Sequence, residues 1–179
     1  MQTNFYRQKK CSKQQLHFTM FTGLKFVGKT QIVSQYFKEY DEETMIGLRI
    51  FQKMIIKNDI EFVLCQFDIM RQRSRGERSN QYFENISDAI MLVYDITNRI
   101  TFEKVQEYYF ATKKHNTKNF IYLLIGNFLD QSNYRQVSYL ESQEFADSNG
   151  LEFIEVSART GLNISDAYNL IINSIIQVK

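Results

Sequence analysis

The sequence predicts a three-layer α/β domain in which helices cover both faces of a mostly parallel sheet. First, strand-like and helix-like patterns alternate along most of the chain. Second, residues 89–94 and 120–125 form uninterrupted apolar runs, which are typical of parallel strands buried on both faces. Third, one early hairpin interrupts the alternation, which predicts a single antiparallel strand among the parallel ones.

Length and composition are those of one ordinary globular domain. The chain has 179 residues, of which 44% are hydrophobic and 23% charged. Residues 1–15 contain four basic residues and no acid, which predicts a flexible basic arm before a domain over residues 16–179. Contact with an acidic partner is the alternative for this arm. The net charge of +2 argues against a nucleic-acid partner. Cys11 and Cys65 form no disulfide framework, which favours the reducing cytoplasm.

The first predicted strand, residues 16–22, leads into a loop that fits the pattern G-x-x-x-x-G-K-[ST]. In such a loop, glycines let backbone N–H groups curl around a polyphosphate at a helix N-terminus. The lysine reaches the β- and γ-phosphates and the hydroxyl holds Mg²⁺. A glycine-containing turn that happens to precede Lys-Thr is the alternative. The residues of the loop are Gly23, Leu24, Lys25, Phe26, Val27, Gly28, Lys29 and Thr30.

A hairpin is predicted after the first helix and a polar turn over residues 38–44. Two β-like runs, about 48–56 and 60–67, are joined by Asn58 and Asp59. The second run ends in Asp68. A carboxylate at the end of a strand beside a phosphate-binding loop is where Mg²⁺ is commonly held.

The remaining elements alternate between buried strands and helices. A helix capped by Thr101 follows the strand over residues 89–94, and a second helix follows a capping box at residues 138–141. The last strand is predicted over residues 151–156 and the last helix from about residue 165 to 175. Candidate polar residues at 23–30, 68, 127–130 and 157–159 all follow strands. Ligands of open α/β sheets bind at that edge, so these segments are expected to form one site.

Taken together, these motifs resemble those of the small GTPases of the Ras superfamily, and most closely the Rab branch. Besides the loop, the resemblance includes the sequences LVYDIT at 92–97, LIGNFLD at 124–130, EFADS at 144–148 and SARTG at 157–161. It covers about residues 14–176. It implies the P-loop small-GTPase fold, with a six-stranded sheet, one antiparallel strand and about five helices. It also implies GTP or GDP as the bound nucleotide, with Mg²⁺.

The resemblance assigns the guanine base to two loops. Asn127, Phe128 and Asp130 stand in the family's N-K-x-D motif, whose aspartate accepts two hydrogen bonds that adenine cannot offer. Phe128 replaces the lysine; it would stack on the base or be an ordinary apolar loop residue. Ser157, Ala158 and Arg159 are similar to the family's S-A-K loop.

The segments that resemble the family's two switch regions depart from its pattern. Thr44 is a candidate Mg²⁺ ligand of switch I, although alignment on Gly47 puts Met45 there. In switch II, Asp68 and Gln72 match D-x-x-G-Q, but the glycine is Arg71. Gln72 is therefore the candidate that orients the attacking water.

Side chains also stand where the family has small residues. Lys25 and Phe26 are expected to crowd the space that Gln72 and an arginine finger need. The resemblance therefore implies nucleotide binding with weak or no hydrolysis.

Partners are expected to be proteins bound through the switch regions. The arginine-rich residues 71–78 would suit an acidic surface, or would simply be a solvated loop. The last residues contain no cysteine for prenylation, which predicts no stable membrane anchor. Two functions fit: a hydrolysis-poor nucleotide switch, or a non-cycling structural subunit of a larger assembly. Either would work in the cytoplasm, free or within a cytoskeletal, ciliary or trafficking assembly.

Overall fold

A computed structural model describes residues 15–37, 42–45, 48–69, 84–115 and 119–177, with backbone alone at 42–45. Four α-helices and one 3-10 helix lie within these ranges, together with helical residues at 84–86. The strands are β1 Gln15–Thr22, β2 Glu42–Met45, β3 Leu48–Lys57, β4 Ile60–Ile69, β5 Ala89–Asp95, β6 Ile121–Asn127 and β7 Glu152–Glu155. The α-helices are α1 Lys29–Tyr36, α2 Arg99–His115, α3 Tyr139–Asn149 and α4 Ile164–Gln177, and the 3-10 helix is Leu129–Tyr134.

The strands form one sheet in the order β2-β3-β4-β1-β5-β6-β7. Strands β4, β1, β5, β6 and β7 pair in parallel, and β3 is antiparallel to both of its neighbours. Strand β3 is therefore the one strand that runs against the others. The predicted α/β class with a single antiparallel strand is confirmed.

Two apolar clusters fill the space between the sheet and its helices. One packs α1 and α4 against one face, with Ile32 and Ile171 among its buried residues. The other packs α2 and α3 against the opposite face, with Phe102 and Ala146 in its interior. This arrangement confirms the three predicted layers.

The early hairpin fixes which residues of β3 and β4 face each other. Asn58 and Asp59 have φ values of 51° and 60°, the left-handed pair that a two-residue hairpin turn requires. The pairing then runs from Lys57 opposite Ile60 to Leu48 opposite Ile69. Asp68 consequently lies directly opposite Arg49.

The structure differs from the sequence prediction in two local details. Part of the predicted polar turn forms the short edge strand β2, so the sheet has seven strands and not six. Helix α2 begins at Arg99, so Thr101 is not its cap. The Thr101 hydroxyl instead accepts from the Asp95 N–H at 2.9 Å and donates to the Asn98 carbonyl at 2.6 Å.

Several predictions fall outside the described residues. These are residues 1–14 of the arm predicted at 1–15, the side chain of Thr44, and the arginine-rich segment with Arg71 and Gln72; Gln15 begins β1. Within the described part of the chain, no helix combines the length and apolar composition that a membrane crossing requires.

Candidate functional site

The loop between β1 and α1 curls over the carboxyl end of the sheet because its glycines leave room for close contacts. Gly23 has a φ of 140°, and a Cβ there would lie 2.1 Å from the Val93 carbonyl oxygen of β5. Gly28 has a φ of 87°, and a Cβ there would lie 2.2 Å from the side-chain amide of Asn127. Neither position accepts another residue without a shift of the backbone or its neighbour.

Lys29 places its ammonium group inside this loop. Its Nζ donates to the carbonyl oxygens of Gly23 at 2.9 Å and of Leu24 at 2.5 Å. Burial lowers the pKa of Lys29 from 10.5 to about 8, and the nearby carboxylate of Asp68 opposes that shift. A partly desolvated ammonium at a helix N-terminus is suited to an anion, because an anion restores the stabilisation that burial removes.

Thr30 and Asp68, which the sequence analysis predicts as Mg²⁺ ligands, lie in direct contact. The Thr30 hydroxyl donates to the two carboxylate oxygens of Asp68 at 3.1 and 3.0 Å. Hydroxyl and carboxylate oxygens are ligands that Mg²⁺ accepts, so the donor types fit this ion. The same carboxylate also accepts from Arg49 Nη2 at 2.7 Å, and Asp68 is almost fully buried.

Asn127 joins the phosphate-type loop to the two loops that the resemblance assigns to guanine. Its Nδ2 donates to the Val27 carbonyl at 3.0 Å, and its Oδ1 accepts from the Ala158 N–H at 2.9 Å. Asn127, Val27 and Ala158 are all buried. One side chain therefore sets the spacing between segments from three parts of the sequence.

Asp130 is held by the loop that follows β7. Its two oxygens accept from the Ser157 hydroxyl at 2.5 Å and from Arg159 Nε at 2.7 Å. The pKa of Asp130 is lowered first by the Ser157 hydrogen bond, against the effect of burial, and further by Arg159. The carboxylate is thus kept ionised and its orientation is fixed.

A cleft of about 660 Å³ opens over the phosphate-type loop, within the size range of small-molecule sites. Phe128 lines it and also packs against the apolar cluster of α2 and α3. Phe26 stands at the mouth with 94% of its surface exposed. Phe26 and Phe128 have φ values of 68° and 70°, which are unusual for residues with a side chain.

An ion pair between Arg135 and the buried Glu155 supports the segment that carries Asp130. Arg135 donates to the Glu155 carboxylate through both terminal nitrogens, at 2.5 and 2.8 Å, and to the Val137 carbonyl at 3.0 Å. Glu155 lies at the end of β7 and Arg135 directly follows the 3-10 helix. The pair therefore ties the segment carrying Asp130 to the sheet.

The comparisons with known proteins agree with this arrangement. The sequence model of the Ras family matches residues 19–177, which is most of the chain. The chain belongs to the Ras family. This Ras-family chain is 32% identical over 167 residues to the Ras-related protein Rab-2B of Dictyostelium discoideum, covering 92% of the chain and 82% of that relative.

Two further Rab relatives place the chain in the same branch. The Ras-related protein Rab11A of Lotus japonicus is 32% identical over 156 residues, or 85% of this chain and 68% of that relative. The Ras-related protein Rab-17 of Mus musculus is 28% identical over 158 residues, or 87% and 73%. The resemblance to Rab-like small GTPases is confirmed.

The predicted site residues of this Ras-family chain form two adjoining groups. The loop residues lie with Asp68 and Phe128 around the cleft, except Leu24 and Val27. The backbone carbonyls of these two residues accept hydrogen bonds from Lys29 and Asn127. Asp130, Ser157, Ala158 and Arg159 form the second group, joined to the first by Asn127. Gln72 and the side chain of Thr44 lie outside the described residues.

Sequence reasoning missed two arginines of the site. Arg135 offered no local signal, because its partner Glu155 is distant in sequence. Arg49 did offer one: a two-residue turn at Asn58 and Asp59 dictates that Arg49 lies opposite Asp68.

Proposed function

We propose that this Rab-like chain binds GTP or GDP with Mg²⁺, hydrolyses GTP weakly or not at all, and acts by contacting proteins. The observation that carries the proposal is the Lys29 ammonium, which is partly buried within a glycine loop. Burial lowers its pKa to about 8, and an anion bound beside it would stabilise its charge again. The bridge made by Asn127 supports it, since it holds the base-type and phosphate-type loops at a fixed separation.

Guanine is the base that the second group of residues favours. Asp130 is an ionised, oriented acceptor, and Asn127 and the Ala158 backbone are fixed beside it. In the family resemblance, a carboxylate in this place accepts two hydrogen bonds from guanine. Arg159 donates to one oxygen of the Asp130 carboxylate. When guanine binds, Arg159 would have to turn outward, which the high exposure of its side chain permits.

Weak hydrolysis is proposed from the mouth of the cleft. Phe26 occupies a left-handed position where glycine would add no side chain, and it lines the cleft over the loop with its ring almost fully exposed. Hydrolysis depends on positioning a water and a stabilising charge, so a bulky group there slows the reaction more than it weakens binding.

Nucleotide content is the direct test of binding. Protein purified without added nucleotide should release guanine nucleotide on denaturation, identified by chromatography. Lys29→Ala should lose it, because the ammonium that faces the phosphates is gone. Lys104→Ala is the matched control, since Lys104 is exposed on α2 and pairs with Glu107. A guanine content that is the same in both variants, or absent from the wild type, would contradict the proposal.

Single-turnover GTP hydrolysis distinguishes the switch from the structural subunit. Phe26→Gly should raise the rate at unchanged nucleotide affinity if crowding limits hydrolysis. If the chain is a structural subunit, its bound nucleotide should be neither hydrolysed nor exchanged in the wild type. Phe26→Gly should then change neither the hydrolysis rate nor the exchange rate.

A further inference from the structure

Arg49 reaches the carboxylate that is predicted to help hold Mg²⁺. Its Nη2 lies 2.7 Å from Asp68 Oδ2, while the Thr30 hydroxyl contacts both oxygens of the same group. Resting on the nucleotide binding proposed above, we infer that Arg49 is a built-in cation of this site. It neutralises Asp68, so that retention of nucleotide depends little on Mg²⁺.

The pairing of two backbone strands places Arg49 beside Asp68. The β3–β4 register sets Arg49 opposite Asp68, so the two side chains leave the sheet at the same position. The guanidinium also lies 5.6 Å from the ring centre of Phe51, two residues further along the same face. Its side chain is 21% exposed and that of Asp68 only 3%. The contact is therefore a property of the fold.

Arg49 is a cation whose guanidinium contacts the Asp68 carboxylate directly. A Mg²⁺ ion at Thr30 would share that carboxylate with a second positive group, and the two cations repel each other. The carboxylate therefore attracts the metal less than an unpaired one would.

The cation that Mg²⁺ would supply is present in the chain itself. The Lys29 ammonium lies within the glycine loop, and the Arg49 guanidinium neutralises the Asp68 carboxylate. Removing Arg49 alone would leave the buried Asp68 carboxylate with the Thr30 hydroxyl as its remaining side-chain hydrogen-bond partner among the described residues. A divalent ion would then become the natural counter-charge.

Dissociation of a fluorescent N-methylanthraniloyl GDP measures this dependence. Rates are compared in excess MgCl₂ and in excess EDTA. EDTA should accelerate release from the wild type less than about threefold, and from Arg49→Gln by about tenfold or more, a factor that corresponds to about 1.4 kcal/mol. Arg49→Lys keeps the charge and should behave as the wild type. Lys57→Gln removes a charge from the far end of β3 and serves as the matched control.

A second measurement uses the metal alone. MgCl₂, compared with NaCl of equal ionic strength, should raise the thermal midpoint of Arg49→Gln and leave that of the wild type unchanged. The inference is overturned if EDTA accelerates release equally from both proteins, or if MgCl₂ shifts both midpoints equally. Failure to bind the fluorescent GDP in either buffer would overturn the proposed function, and the midpoints would still decide the role of Arg49.

Discussion

Replacing Asn127 with alanine should destabilise the whole domain, although the residue lies in a predicted binding motif. The change removes two hydrogen bonds and leaves the Ala158 N–H and the Val27 carbonyl without their partner. Both groups belong to buried residues. A buried polar group that loses its partner costs about 1–3 kcal/mol. We therefore expect the free energy of unfolding to fall by roughly 2–4 kcal/mol.

The assay is urea unfolding followed by circular dichroism, with calorimetry as a second probe. For a domain of this size, the expected loss corresponds to a melting temperature lower by roughly 5–15 °C. Asn173→Ala is the matched control, because Asn173 is exposed on α4. Exposed substitutions of this kind usually change stability by less than about 0.5 kcal/mol.

A double-mutant cycle with Gly28 tests whether the bridge is the cause. A Cβ at Gly28 would lie 2.2 Å from Asn127 Nδ2, so Gly28→Ala should displace the same amide. Gly28→Ala should cost less in the Asn127→Ala background than in the wild type, because contacting residues are not additive. Full additivity, or an Asn127→Ala protein as stable as Asn173→Ala, would refute the reasoning.

Two other predictions concern charge. The pKa of Lys29 is about 8 in the folded chain and 10.5 ordinarily, so the unfolded chain holds more protons between these values and stability should rise from about pH 8 to about pH 9.5. Urea unfolding across that range should show the rise in the wild type and not in Lys29→Met; equal slopes would contradict it. Arg135→Ala should lower the free energy of unfolding by about 3 kcal/mol, because it strands the buried Glu155 carboxylate. Arg99→Ala breaks an equally bidentate but exposed pair with Glu141 and should cost less than about 1 kcal/mol, and equal losses in the two variants would refute the role of burial.

Local chemistry made much of the fold predictable from the sequence. The phosphate-type loop, the hairpin turn at Asn58 and Asp59 and the buried strands each depend on a few neighbouring residues. Two local details failed for physical reasons. Strand β2 contains two glutamates and no apolar alternation, and it forms by pairing with the exposed edge of β3. Thr101 is predicted as a helix cap because threonine is a preferred N-cap residue, but the hydrogen bonds of its hydroxyl close the turn before α2.

The order of the elements can be read from the sequence, as can the loop that holds Lys29 and, through the hairpin register, the pairing of Arg49 with Asp68. These follow from spacing and turn geometry, which act over a few residues. Tertiary structure alone decided that Asn127 bonds to Val27 and that Arg135 bonds to Glu155. Such contacts depend on which strands become neighbours in the sheet and on where long side chains reach across loops. No sequence pattern predicts the Asn127 or the Arg135 contacts. Only the packed structure shows that Asn127 connects the loops of this site.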